Sequence, residues 1–546
     1  MTENPEPETT GQTPPAAPAE PNAVDDREAV SRVEEVEPLA RAEESEDQPR
    51  RQLNHWWRRP TIRALKREAQ ERGDYLDQQD ERDNAATRLP AGESVHLGGL
   101  VLAEAFSPST VSALYDTIRR WSGSNNRRRD EWVAELDRSR SGRSGGWSNL
   151  GVVRRPGDNI FAIFDDGVED SRLPDSVMAV WLHLSYLMPS IAVVAATFTF
   201  RDEAADVSSV LRRDYHTQFS DSRIRVYGKF GRLRAWLPWS RPKNHGMTFN
   251  VSRAEDEKRR AFEQVIHERE AECSRWFISR FPGRFALADS AARPVARLIF
   301  TEKEVPFKDR SDWFRPIGLD WSRTIYRSVE IPGWALKEGQ WPYARGRFVL
   351  TFAVRRRDAA REPAKGESGE QNWDLTQRFN LEQAPLVARY ATHALLSLYG
   401  ERLAKLRDGA RARHRPRRTV RDALALDDYL TTDGLDAATI TADVGALTKD
   451  LRRFSWDVPE YTEDQEGLPD TVRRRRASPL EFVPALCSSL KEQAARLATD
   501  TENTVENIRS SAELKQAIAN TRLQRMVIVV SLAALIAAVV GIFLAG

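Results

Sequence analysis

Three groupings of titratable residues in this chain could do chemistry. In "VIHEREAEC", His267, Glu270 and Cys273 recur every three residues. That spacing stacks an imidazole, a carboxylate and a thiol along one helix face, a row able to bind a metal or activate the thiol. Cys273 also falls in the apolar stripe of the same segment, which favours a packed cysteine beside a surface His/Glu pair. In "RRDYHTQF", Asp214 and His216 stand two apart, a spacing that suits neither a shared helix face nor a dyad. Gly142-Arg143-Ser144-Gly145-Gly146 matches G-x-S-x-G. A nucleophile elbow needs a buried strand before the serine and a helix after it, whereas "ELDRSRS" and "GWSNLG" read as the flanks of a polar loop.

Asp165-Asp166 closes the apolar run "FAIFDDG", where a strand-ending turn explains both acids. The sequence has no GxxxxGK[ST] loop, no GxGxxG after a strand and no HExxH. We therefore assign no catalytic residue, no cofactor and no metal from the sequence, and the balance leans away from an enzyme.

Two stretches interleave aromatic and basic residues. Trp56 and Trp57 lie among Arg50, Arg51, Arg58, Arg59 and Arg63, and Trp236 and Trp239 lie in the basic stretch 224–243. Aromatic faces beside guanidinium groups suit a lipid headgroup layer, which makes these four tryptophans candidate interfacial residues. Half-buried strands and docked tryptophans give the same pattern. Arginine greatly outnumbers lysine, as GC-rich coding alone would produce, so no arginine cluster is read as a nucleic-acid signal.

The elements that must position these groups are set by composition. The chain has 546 residues, 40% hydrophobic and 30% charged, with a formal net charge of +1. That length allows several domains and a substantial core, and the charge provides no global attraction to polyanions. Two distant cysteines exclude a disulfide framework or zinc module. The N-terminus lacks the basic and apolar regions of a signal peptide.

Residues 1–49 are acidic and Pro-rich, too poor in apolar surface to offset ordering entropy, and read as a disordered tail. Residues 50–89 form a basic Trp/Arg helical segment. A mixed α/β domain follows over 90–357, with strand-like runs at "WSNLGVV", 159–164, 190–200, 295–304 and 347–356. The uncharged run at 190–200 predicts a central strand covered on both faces. A helix carrying Phe262, Val265, Ile266, Cys273, Trp276 and Phe277 on one face is stopped by "FPG". Residues 358–384 read as a linker, 385–484 as a helical region with Pro385 in the first turn of its opening helix, and 485–525 as a stalk helix.

The chain closes with "MVIVVSLAALIAAVVGIFLAG", residues 526–546, without a charge. At about 1.5 Å per residue, twenty residues span the roughly 30 Å hydrocarbon core of a bilayer. Lys515, Arg522 and Arg525 precede the run, which places the bulk of the chain on the cytoplasmic side. The small residues Ala533, Ala537, Gly541 and Ala545 recur every four positions and would let two such helices approach closely. Upstream, a 4,3 spacing from Leu490 to Ile518 is too polar for a demonstrated coiled-coil seam.

A basic stalk helix entering a span after an α/β domain resembles the stalk of CorA-type magnesium channels. The sequence shows no second apolar run and no Gly-Met-Asn motif, so neither transport nor any site follows from that likeness. The expected fold is an α+β cytoplasmic domain, a helical region and one C-terminal transmembrane helix. The expected function is a tail-anchored scaffold, sensor or signalling component, in a bacterial inner membrane. Its expected partners are the lipid bilayer, an unidentified protein and a second copy held through the C-terminal helix. The alternatives are a membrane-tethered enzyme and an oligomeric, channel-like assembly.

Overall fold

The computed structural model describes residues 74–120, 126–142, 145–158, 167–226, 244–288, 293–308, 311–319, 325–339, 348–359, 371–412, 429–464 and 478–545. The chain divides into two units, Met1–Arg72 and Gly73–Gly546, and every described residue belongs to the second. The expected tail, the tryptophans Trp56, Trp57, Trp236 and Trp239, and the 159–164 run with Asp165-Asp166 lie outside the described residues.

Twelve described strands are β1 (Val95–Phe106), β2 (Gly146–Arg154), β3 (Gly167–Glu169), β4 (Val177–Met188), β5 (Ile191–Phe200), β6 (Gln218–Val226), β7 (Asn244–Ser252), β8 (Val295–Thr301), β9 (Ile325–Ser328), β10 (Ala335–Gly339), β11 (Val349–Arg355) and β12 (Tyr461–Glu463). Ten of them form one sheet in the order β12-β9-β10-β11-β8-β1-β5-β4-β2-β3. Its pairings are antiparallel except β8 with β11 and β2 with β3. The remaining two, β6 and β7, pair as a separate antiparallel ribbon flanking the Trp236 stretch.

Among the described residues seven long helices accompany the strands: α1 (74–86), α2 (Val111–Arg120), α3 (Asn126–Arg140), α4 (Ala254–Arg280), α5 (Gln371–Ala412), α6 (Leu435–Leu447) and α7 (Phe482–Ala545). Because side chains alternate along a strand, β1 feeds two cores. Leu100, Leu102 and Phe106 pack with α2 and with Phe262, Ile266 and Phe277 of α4. Val101, Ala103 and Ala105 pack with α5, α6 and the start of α7. The result is three layers, helices on both faces of one mixed sheet. All ten residues of β5 are buried, as the uncharged 190–200 run predicts. The acidic first turn of α4, Glu255 to Glu257, suits its N-terminal dipole. At its other end the N–H of Phe281 closes on Phe277 O, where "FPG" stops the pattern.

Three expectations give way. The helix expected from Pro385 begins at Gln371, so the described part of the 358–384 linker is largely helical and Pro385 lies inside α5. Asn372, Thr376, Asn380 and Gln383 are buried against the sheet, and these polar positions hid the helix from hydrophobic periodicity. The 385–484 region is not helical throughout, since β12 pairs with β9 at the edge of the main sheet. The 4,3 seam is satisfied within the molecule: Leu490, Ala494 and Leu497 of α7 are buried in the core shared with α5 and α6.

α7 continues as a helix of 64 residues, and its described side chains from 520 to 534 are exposed. Among the described residues no helix is long and apolar enough to cross a membrane. The fold thus establishes the α+β domain but not the expected terminal transmembrane helix. The side chains of 535–546 lie outside the described residues.

Gly98 marks where β1 passes closest to its neighbours, at a register shift against β8 between Leu97 and Gly99. A Cβ there would fall 2.1 Å from the Phe300 ring and 2.9 Å from Asn372 Oδ1. Gly98→Ala should therefore destabilise the domain by about 1–3 kcal/mol. Gly400 in α5 has open space around its missing Cβ, so Gly400→Ala should gain up to about 1 kcal/mol from helix propensity. Urea denaturation midpoints of the two variants should move in opposite directions.

Candidate functional site

The sequence "FSPSTV" after β1 builds a helix start. Ser107 occupies the N-cap with Pro108 behind it, and the Thr110 hydroxyl accepts the Ser107 N–H at 3.0 Å. The open amide of Ser109 is taken by a carboxylate from another layer, Asp436 at the start of α6, at 3.1 Å. The same carboxylate accepts hydroxyl protons from Ser107 and Ser109, both at 2.5 Å, and from Tyr399 of α5 at 3.1 Å. Asp436 is 2% exposed, so these four donors replace its water. Burial, with Asp436 alongside, pushes the Tyr399 phenol above its ordinary range and keeps it a donor at neutral pH.

A π-helical turn, Leu430–Gly434, leads into α6. Its Asp433 pairs with Arg284 and, at 2.7 Å, with Arg402 of α5, while the Arg284 guanidinium lies over the Tyr399 ring at 5.1 Å. One residue further, the Phe285 N–H donates to Glu104 at 2.6 Å. Glu104 of β1 is fully buried and pairs with Arg293 at 3.0 Å, and Arg293 also donates to Ser274 of α4. The polar knot thus runs from α4 through the end of β1 to α5 and α6.

This arrangement ties the layers together through ion pairs and hydrogen bonds. The hydroxyls of Ser107, Ser109 and Tyr399 already donate to Asp436, and no imidazole is among its partners. Glu104 is the group closest to proton exchange, since burial lifts its carboxyl from 4.5 to about 7 against the pull of Arg293.

Of the groupings singled out in the sequence, His267 and Glu270 approach each other at 4.0 Å, and no reactive cluster forms around them. Cys273 is fully buried, and burial raises its thiol well above the ordinary value, so it is not an activated nucleophile. Glu270 turns inward to a position near Arg297 while His267 remains exposed. Asp214 pairs with Arg88 at 2.9 Å, and His216 faces Asp80 at 3.8 Å, so these two point to different partners. The G-x-S-x-G run lies between α3 and β2, the reverse of an elbow's strand-to-helix order, with Arg143 and Ser144 outside the described residues.

Ala533, Arg522 and Arg525 are exposed on α7, and the side chains of Lys515, Ala537, Gly541 and Ala545 lie outside the described residues. Among the described residues no group of three or more His, Cys, Asp or Glu could hold a metal ion. An 820 Å³ cleft beside β9 and β12 is lined by Arg327 and Arg355, but Asp464 and Asp358 already pair with them. No family model matches the chain, and neither a curated protein nor a solved structure is similar to it.

Two outcomes test the knot. Asp436→Ala removes the acceptor of three hydroxyls and an amide, and should cost about 3 kcal/mol or more in urea unfolding; a loss below about 1 kcal/mol would show the knot is dispensable. Glu104 gives a pH signature. Between 4.5 and about 7 the folded chain retains a proton that the unfolded chain releases. Its contribution to stability therefore falls as pH rises through that window. Glu104→Gln should flatten this part of the stability profile measured between pH 5 and pH 8.

Proposed function

We propose that the chain is a membrane-anchored scaffold or signalling component whose three-layer domain is carried on α7. The observation behind this reading is the change of character along one unbroken helix. Its first turns are buried against α5 and α6 through Val483, Leu486, Leu490 and Leu497. Further on, Met526, Val527, Ile528, Val529, Val530 and Leu532 are each 57–66% exposed. Consecutive exposure of this kind puts apolar side chains on all sides of the helix, a surface that water penalises and hydrocarbon does not. The uncharged sequence continues to Gly546, which gives a run of bilayer length.

Arg522 and Arg525 stand exposed on the domain side of the run, where anionic headgroups and the positive-inside bias would hold them. Residues 505–525 then form a stalk of about 30 Å between the packed end of α7 and the lipid. The polar knot gives the domain a path from α6, which packs on α7, to the end of β1. That path suits a component that presents or relays, and a binding role is favoured over catalysis because the knot's hydroxyls are all engaged.

Cell fractionation tests the anchor. Full-length protein should stay in carbonate-washed membranes, and deletion of 524–546 should move it to the soluble fraction with its thermal unfolding midpoint unchanged. Full-length protein that is soluble without detergent would end the anchor reading.

A further inference from the structure

A second cleft, about 500 Å³, opens between the 172–176 segment and the C-terminal half of α4. Arg172 stands on one wall, Arg269 and Arg275 on the other, with Ser176 and Ser279 adding hydroxyls and Trp276 lining the base. The cleft's two carboxylates are already engaged. Glu272 accepts from Ser176 at 3.1 Å and pairs with Arg269 at 3.5 Å, and Asp175 pairs with Arg155. The indole N–H of Trp276 donates to Asp170, which also pairs with Arg280, so the base is fixed.

That leaves two guanidinium groups facing one cleft from separate elements. Among the described residues neither Arg172 nor Arg275 has a carboxylate partner; Arg275 donates its Nε to Ala271 O at 3.4 Å, and its terminal nitrogens remain available. Two convergent, always-charged forks match the geometry of a tetrahedral oxyanion, and a dianion would neutralise them. An apolar or cationic ligand would have to leave both charges uncompensated.

We propose that this cleft is a binding site for a phosphate-bearing anion, gripped by Arg172 and Arg275, with the Ser176 and Ser279 hydroxyls, which donate to Glu272 and to the Trp276 carbonyl, lining it. The phosphate could be free in solution or carried on a lipid headgroup; the recognition chemistry is the same.

The test uses the full chain in a neutral detergent, with pyrophosphate as the probe in isothermal titration calorimetry at low salt. Wild type should bind, and Arg172→Ala/Arg275→Ala should bind at least tenfold more weakly. Both side chains are exposed, so the double variant should keep its thermal midpoint. Arg315→Ala, which removes an exposed arginine paired with Asp312, should bind as wild type does. Displacement of the probe by micelles containing phosphatidic acid would assign the site to a headgroup, and failure to displace would assign it to a soluble anion. Absence of pyrophosphate binding to wild type, or equal binding by the double variant, would overturn the proposal.

Discussion

Both faces of the ten-stranded sheet are covered by helices, so a charge carried by a strand has to find its partner inside the protein. β1 carries Glu104 at 0% exposure, and Arg293 and the Phe285 amide meet it there. β8 carries Arg297, which forks onto Glu263 of α4 with bonds of 2.8 and 2.9 Å. β10 carries Lys337, whose ammonium donates to Gly318 O at 2.8 Å. Such pairs add little net stability compared with apolar packing, but losing one partner strands the other in low dielectric. They act chiefly as constraints on which helix lies over which strand.

The same requirement gathers polar groups where the layers meet. Asp436 reaches from α6 into the open start of α2, and Arg389 of α5 donates to three backbone carbonyls, those of Phe454, Pro385 and Trp456. Burial lowers the Arg389 guanidinium to about 10, still charged at neutral pH. The Phe454 and Trp456 carbonyls tie to α5 the turn that leads into Asp457, a non-glycine residue at φ 59°. Helix ends and turns on both faces of the sheet are thereby tied to a few side chains whose removal is felt across layers.

Much of the scaffold can be read in the sequence, and the unread part has physical causes. The uncharged, β-branched run of β5 and the apolar stripe of α4 follow period and composition directly. β1 and β4 are as buried but less legible, because Gly98-Gly99 and Glu104 interrupt one and His183 and Ser185 the other. His183 is tolerated because burial drives its ring down to about 3, where it is neutral and stacks on Trp147. The first four turns of α5 read as linker because Asn372, Thr376, Asn380 and Gln383 share the buried face with Trp373, Leu375 and Phe379 and break its apolar period. The knot at Asp436 escaped because Ser107 and Asp436 are 329 residues apart. Only the local half, the Ser-Pro-Ser-Thr helix start, leaves a sequence trace. In the His267 row the apolar stripe indicates a packed Cys273, and it is buried; what spacing alone does not give is that Glu270 is buried beside an exposed His267.

The continuity of α7 sets a phase as well as a distance. With 3.6 residues per turn, each residue added to α7 between Thr504 and Met526 would turn the apolar segment by about 100° relative to the domain. Under the proposed anchoring, two added residues would turn nearly the opposite side of the domain toward a fixed neighbour of the apolar segment, and seven would nearly restore the original bearing. A partner that reads one face of the domain would then respond to stalk length periodically, whereas one reached through a flexible tether would not.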